Sequence, residues 1–166
     1  MAGEYEITDA IQKLLKMGKQ VKSHILQGWW LDTGRKEGLL KANQVVLDDF
    51  LKTDVKGNVD SKSHIVGRVE IRQGTEVINS TIRGPVSIAE DCRIKNSVIG
   101  PFASIGTGTV IEDSSVENSV ILEKCRLCRI EHLADSVIGR SAEVLKQKHN
   151  SNVVSLFIGD DARIEL

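Results

Sequence analysis

The sequence has 166 residues, a formal net charge of −1, 27% charged and 40% hydrophobic residues, a soluble globular composition fitting one medium domain or two small ones. The near-neutral balance excludes a global pull toward nucleic acid or anionic membrane, and no apolar run approaches the ~20 residues needed to cross a bilayer. Three cysteines, an odd number, argue against a disulfide scaffold, and Met1-Ala2-Gly3-Glu4-Tyr5 is neither basic nor apolar, so no signal peptide is expected and the cytoplasm is the default location.

In chain order, Ile7-Thr8-Asp9 offers a helix start with Thr8 as N-cap. Ala10, Ile11, Leu14 and Leu15 then make an apolar stripe, and Gly18 is a fitting stop. Val21 to Leu26 reads as a strand. A second helix is predicted from about Lys36 to Leu51, with Leu39, Asn43, Val46 and Phe50 on one face and Leu40, Leu47 and Leu51 beside it. Beyond residue 58 the text becomes rich in Ile, Val, Gly, Ser and Asn, which marks a boundary: residues 1–57 form a helix–strand–helix piece and 58–166 something periodic.

The period is visible in Asn79-Ser80-Thr81-Ile82, Asn96-Ser97-Val98-Ile99, Asn118-Ser119-Val120-Ile121 and Asp135-Ser136-Val137-Ile138. Aliphatic positions sort into three columns. The first is Val59, Val77, Ile94, Ile111, Leu127 and Val144; the second Ile65, Ile82, Ile99, Val116 and Leu133; the third Ile71, Ile88, Ile105, Ile121 and Ile138. One common step of 16 to 18 residues over three columns describes a three-sided coil of short strands stacked at the ~4.8 Å strand spacing. Gly74, Gly84, Gly100 and Gly106 fall at its corners. Cys92, Ala103, Cys125 and Ala142, each four residues after an anchor, are expected to fill those corners. A coil cannot bury its own face alone, so the stack needs caps; Lys146 to Asn152 reads as a loop and Ser155 to Leu166 as a segment folding over the last coil.

Gly3-Glu4-Tyr5-Glu6-Ile7-Thr8-Asp9-Ala10-Ile11, with Gly28-Trp29-Trp30-Leu31-Asp32-Thr33-Gly34, Leu39-Leu40-Lys41-Ala42-Asn43 and the closing Ile158-Gly159-Asp160-Asp161, resembles the long form of the glucose-1-phosphate thymidylyltransferases. That resemblance implies a mainly β fold: a left-handed parallel β-helix of hexapeptide repeats, preceded by a small α/β remnant of a nucleotidyltransferase catalytic domain. It also implies an activity in the parent enzyme, where a sugar 1-phosphate attacks the α-phosphate of dTTP and releases pyrophosphate. The family's Gly-rich nucleotide loop and most of its sugar site lie earlier in such a domain than the point where this sequence opens.

By the same resemblance Asp32 is a partial Mg²⁺ ligand and Glu4 a weak substrate-binding residue, Mg²⁺ being the parent's cofactor. One carboxylate is not a site for a hard cation, and Asp32 or Thr33 also suits the start of the second helix. No complete catalytic set is present, and no cofactor is expected for this chain alone. Cys125-x-x-Cys128 has two of the four ligands that a structural zinc needs, and buried small hydrophobes are the plainer reading. His132 raises the alternative of an acyltransferase acting on a sugar or sugar nucleotide, with a His as base; a free-standing oligomerisation scaffold is the other. Self-association, most simply a trimer, is expected from flat prism faces, together with a separate or missing N-terminal catalytic domain as partner.

Overall fold

A computed structural model describes residues 6–28, 30–34 and 36–146. The chain divides after Trp30, so that residues 31–57 group with the coil, and the first strand of the repeat, Asp54–Val55, precedes the compositional change at 58.

The first unit contains α1, Ile7–Lys16. Its cap lies two residues earlier than predicted: Glu6 occupies the N-cap position, and the Thr8 hydroxyl donates to the Glu6 carboxylate instead of capping the helix. The stop is as expected. Gly18 takes φ +71°, its amide donates to the Leu15 carbonyl and that of Lys19 to Leu14, a Schellman closure that favours a residue without Cβ. The strand predicted at Val21–Leu26 does not form. Its β-branched residues suit a sheet, but no strand pairs with them and Ile25 stays 85% exposed.

The second unit begins with α2, Lys36–Phe50, and continues into the coil. Face A is the parallel sheet β1 (Asp54–Val55), β4 (Val69–Ile71), β7 (Val86–Ile88), β10 (Ala103–Ile105), β13 (Val120–Ile121) and β15 (Val137–Ile138). Face B joins β2 (Asn58–Val59), β5 (Glu76–Ile78), β8 (Arg93–Lys95), β11 (Val110–Glu112), β14 (Arg126–Cys128) and β16 (Glu143–Leu145). Face C joins β3 (His64–Val66), β6 (Thr81–Arg83), β9 (Val98–Ile99) and β12 (Ser115–Val116), extended by a bridge from Val116 to Leu133. Up to β14 each strand pairs with the one three elements along, and in the last coil, where only the Leu133 bridge continues face C, β13 pairs with β15 and β14 with β16, the topology of a parallel β-helix.

The three predicted columns are the three ladders. Val77 pairs with Ile94 and Ile94 with Ile111 on face B; Ile82 with Ile99 on face C; Ile88 with Ile105 and Ile105 with Ile121 on face A. Ile71, Val77, Ile82, Ile88, Ile94, Ile99, Ile111, Ile121 and Leu127 are fully buried in one continuous core. A fourth inward column, Val69, Val86 and Ala103, accompanies face A. Ala103 belongs to it and not to the corner expected for it.

All three corners carry hydrogen-bonded stacks; at the one between faces C and A, Asn118 donates to Asp135 and the Ser136 amide to Ser119 Oγ. Asn79, Asn96 and Asp113 adopt positive φ (46°, 48°, 50°), a conformation short polar side chains tolerate. Asn79 donates to Asn96 and Asn96 to Asp113. The next residue in each coil is a buried serine: Ser80 Oγ accepts from the Ser97 amide (3.0 Å), and Ser97 Oγ from that of Ser114 (3.1 Å). This is the physical content of the repeated Asn-Ser dipeptide. At the corner between faces A and B the stack is Thr75, Cys92, Thr109 and Cys125; Thr75 Oγ1 accepts from the Cys92 amide and Thr109 Oγ1 from that of Cys125. The Ser155–Leu166 cap and all but Lys146 of the Lys146–Asn152 loop lie outside the described residues.

Candidate functional site

Asp32 sits on the approach to α2, exposed. One of its carboxylate oxygens accepts the Gly34 amide (2.9 Å), and its carbonyl oxygen would lie 1.7 Å from a Cβ on Gly38. Asp32 therefore shapes the turn that leads into the helix, and only glycine at 38 lets the first turn lie so close. Against Mg²⁺ the fit is poor. A hard divalent ion takes six or more oxygens, whereas Asp32 offers one carboxylate already partly engaged, and the described residues hold no cluster of three or more His, Cys, Asp or Glu. No step is routed through a metal here. Glu4 lies outside the described residues.

The cysteines are wall material. Cys92 and Cys125 lie two coils apart in the same corner stack, and each thiol donates to a main-chain carbonyl, Gly106 for Cys92 (3.2 Å) and Gly139 for Cys125 (2.9 Å). Burial pushes both thiols above their ordinary pKa, which opposes metal binding through thiolate. His132 is exposed, with Nε2 3.3 Å from the Glu117 carboxylate, on the rim of face C. Consecutive coils follow one another without an inserted loop from Asp54 to Leu145.

What the structure does bring together is α2 and face A. Asn43 uses both ends of its amide: Nδ2 donates to the Phe102 carbonyl (2.9 Å), and Oδ1 accepts from Ser104 Oγ (2.6 Å). Gln44 Nε2 donates to Asn118 Oδ1 (2.8 Å). Near the other end of the helix, Arg68 Nη1 donates to the carbonyls of Leu47 (3.2 Å) and Asp48 (2.5 Å), and Nη2 to the Asp48 carboxylate (2.9 Å). Leu47 is buried between them. Arg68 thus satisfies carbonyls in the last turn of the helix and opposes the negative end of its dipole. The helix rests on Asn43, Gln44 and Leu47, and the predicted apolar face points largely outward: Val46 and Phe50 are exposed, Phe50 by 66%.

Below the end of α2 a groove of about 550 Å³ is lined by Val46, Phe50 and Leu51 from the helix side and by Glu70, Arg72 and Ser87 from the sheet. Its polar floor is already paired: Glu70 accepts from Ser87 (3.0 Å) and lies 2.8 Å from Arg72. The groove reads as the seam between helix and coil. Asn43 was visible in the sequence as an amide inside an apolar stripe; Arg68 and Gln44 carried no such signal.

The family model for nucleotidyl transferases matches residues 1–49, which end inside α2. Glucose-1-phosphate thymidylyltransferases of Streptomyces griseus and Streptomyces antibioticus are 37% and 36% identical over 99% of this chain, which covers 46% of each of them. The chain matches the C-terminal part of this longer enzyme. A bifunctional sugar-1-phosphate nucleotidylyltransferase/acetyltransferase of Sulfurisphaera tokodaii is 32% identical over 82% of the chain and 34% of that protein. With respect to the thymidylyltransferases, the segment ending at α2 carries the nucleotidyl transferase match, and the coil lies beyond it. The bonds from Asn43, Gln44 and Arg68 therefore join the family-matched segment to the β-helix. No helix among the described residues is long and apolar enough to cross a membrane.

Proposed function

We propose that this chain is the coil-bearing part of a glucose-1-phosphate thymidylyltransferase-like enzyme, acting as its assembly and regulatory module in the conversion of dTTP and a sugar 1-phosphate to a dTDP-sugar and pyrophosphate. The observation that carries the reading is the seam. The last helix of the nucleotidyl transferase match is held on face A by Asn43, Gln44 and Arg68, so whatever moves the coil moves the edge of the catalytic domain. Chemistry in such a transfer rests on positioning and neutralising phosphate charge. The described residues show no phosphate cradle: Gly34 and Gly38, at the start of α2, are engaged with Asp32, and the glycines of the coil lie at or beside its corners. Mg²⁺ belongs with the residues of the α/β domain and not with Asp32 alone.

A pyrophosphate-release assay with dTTP, glucose 1-phosphate and Mg²⁺ tests this. The chain alone should stay at background, and adding the relatives' α/β domain as a separate chain should restore turnover that Arg68→Ala weakens. Turnover by the chain alone that vanishes in Asp32→Ala would overturn the reading. The acyltransferase alternative draws support from the bifunctional relative's name; acetyl-CoA-dependent thiol release lost in His132→Ala is its signature. Self-association is the second half of the proposal. Prism shape alone favours a trimer about a closed axis; the chemistry of the three outer faces favours a pair instead, as argued below.

A further inference from the structure

We propose that face C is a self-complementary docking surface for a second copy of this chain, paired with the two coil axes antiparallel about a two-fold axis running along β9. The inference rests on the self-association reading and names its contact surface. The other two faces are occupied with themselves. Face A carries α2, and on face B Arg93 sits between Glu76 and Glu112, 3.9 Å from each. Among the described residues of the second unit, no helix lies over face C.

Its outward side chains follow from the register. One column runs His64, Thr81, Val98 and Ser115, with His132 beyond. The other starts with Val66 and Arg83 and continues one residue past the paired ends of the later strands through Gly100, Glu117 and Ala134, with Gly100 against Glu117. The middle row is β9, where Val98 stands 37% exposed beside Gly100. Arg83 lies one row to one side of it and Glu117 one row to the other. Arg83 has no ion-pair partner among the described residues, and Glu117 has only the exposed His132.

A two-fold axis lying in the contact plane along β9 reverses the order of rows and preserves the columns. Arg83 then faces Glu117 of the second copy and Glu117 faces its Arg83, the reciprocity of an isologous contact. Thr81 meets Ser115, Val66 meets Ala134, and Val98 meets Val98 on the axis. A parallel arrangement that sets the same rows of two C faces together gives Arg83 no acidic partner in its own row. Charge complementarity fixes register and partner in this way even where area is small. The face is five rows at ~4.8 Å by three residues at ~3.3 Å, far below the ~800 Å² per partner of a standard interface, so the pair is a weak, reversible one.

Sedimentation equilibrium of the full chain from about 10 μM to about 1 mM covers that affinity range. A monomer–dimer equilibrium is expected. Arg83→Glu and Glu117→Arg should each weaken it about tenfold, the double reversal should restore it, and Val98→Glu should abolish it by opposing two carboxylates on the axis. Unchanged thermal transitions in these exposed-site variants separate association from folding. A trimer, or a dimer indifferent to both single reversals, would overturn the face C pairing while leaving self-association standing. A monomer at the highest concentration would overturn both.

Discussion

Replacing Ile105 with alanine removes an anchor from the middle of face A. Ile105 is 3% exposed, with Ile88 and Ile121 on the flanking rungs, so neither neighbour can collapse into the gap without leaving its own rung. Three lost carbons at ~0.8 kcal/mol each give about 2.4 kcal/mol of transfer free energy. An unrelaxed cavity adds to this and carries the total to about 3–5 kcal/mol, the upper part of the range for large-to-small core changes. That is a large share of the ~5–15 kcal/mol that holds a domain together. Urea unfolding followed by circular dichroism reads the loss as a drop in midpoint at similar slope. Ile25→Ala is the control: at 85% exposure it should change stability by less than about 0.5 kcal/mol. If Ile105→Ala cost under about 1 kcal/mol, the closed ladder and the register would both be wrong.

Ile105→Asp should leave the chain without a cooperative transition, since an unpaired buried charge costs several kcal/mol more than a cavity; a native-like melting curve would refute it. Arg68→Ala should free the end of α2, speeding amide exchange in Leu47 to Phe50 while face B amides keep their protection, because it removes three donor contacts and one dipole partner. Burial raises the Cys92 and Cys125 thiols, so folding favours their neutral forms. That contribution is whole below the unfolded value of about 8.5 and is lost as pH rises past it toward the raised folded values. Urea midpoints should accordingly fall more steeply above about pH 9 in the natural chain than in Cys92→Thr/Cys125→Thr, whose hydroxyls match Thr75 and Thr109; equal slopes would contradict it.

The coil was legible because its ladders obey one period, and a buried aliphatic residue every 16 to 18 positions has no other simple explanation. The corners were legible only in part. Glycines announce turns, but Ser80, Ser97 and Thr109 look like surface residues in a sequence and are buried acceptors in the structure. Their role depends on the coil below, 17 residues away in the case of Ser97. Helix α2 was placed almost to the residue, yet its docking face was misjudged. Hydrophobic patterning favours Val46 and Phe50, whereas the outward column of face A is Glu70, Ser87 and Ser104, a surface that takes an amide more readily than an aromatic ring. Val21–Leu26 failed for the complementary reason, since strand propensity without a partner strand stabilises little. Asp32 was found by its motif, and its turn-forming bond to Gly34 was among the readings the sequence left open.

The corner stacks have a consequence for how such a protein changes length. Every rung of the Asn-Ser corner hands its successor the same pair of bonds, so the coil behaves as a ruler with interchangeable graduations. Excising residues 79–95 would join Ile78 to Asn96, and Asn96 would inherit the place of Asn79 over Asp60, whose carboxylate takes the Asn79 amide. All three ladders would close in register on a prism one strand spacing, ~4.8 Å, shorter. The same cut shifted to begin in mid-strand would still preserve the count. The height of the stack is therefore adjustable in whole coils, but a coil taken from between Arg68 and Phe102 would also draw together the two ends of the seat on which α2 rests.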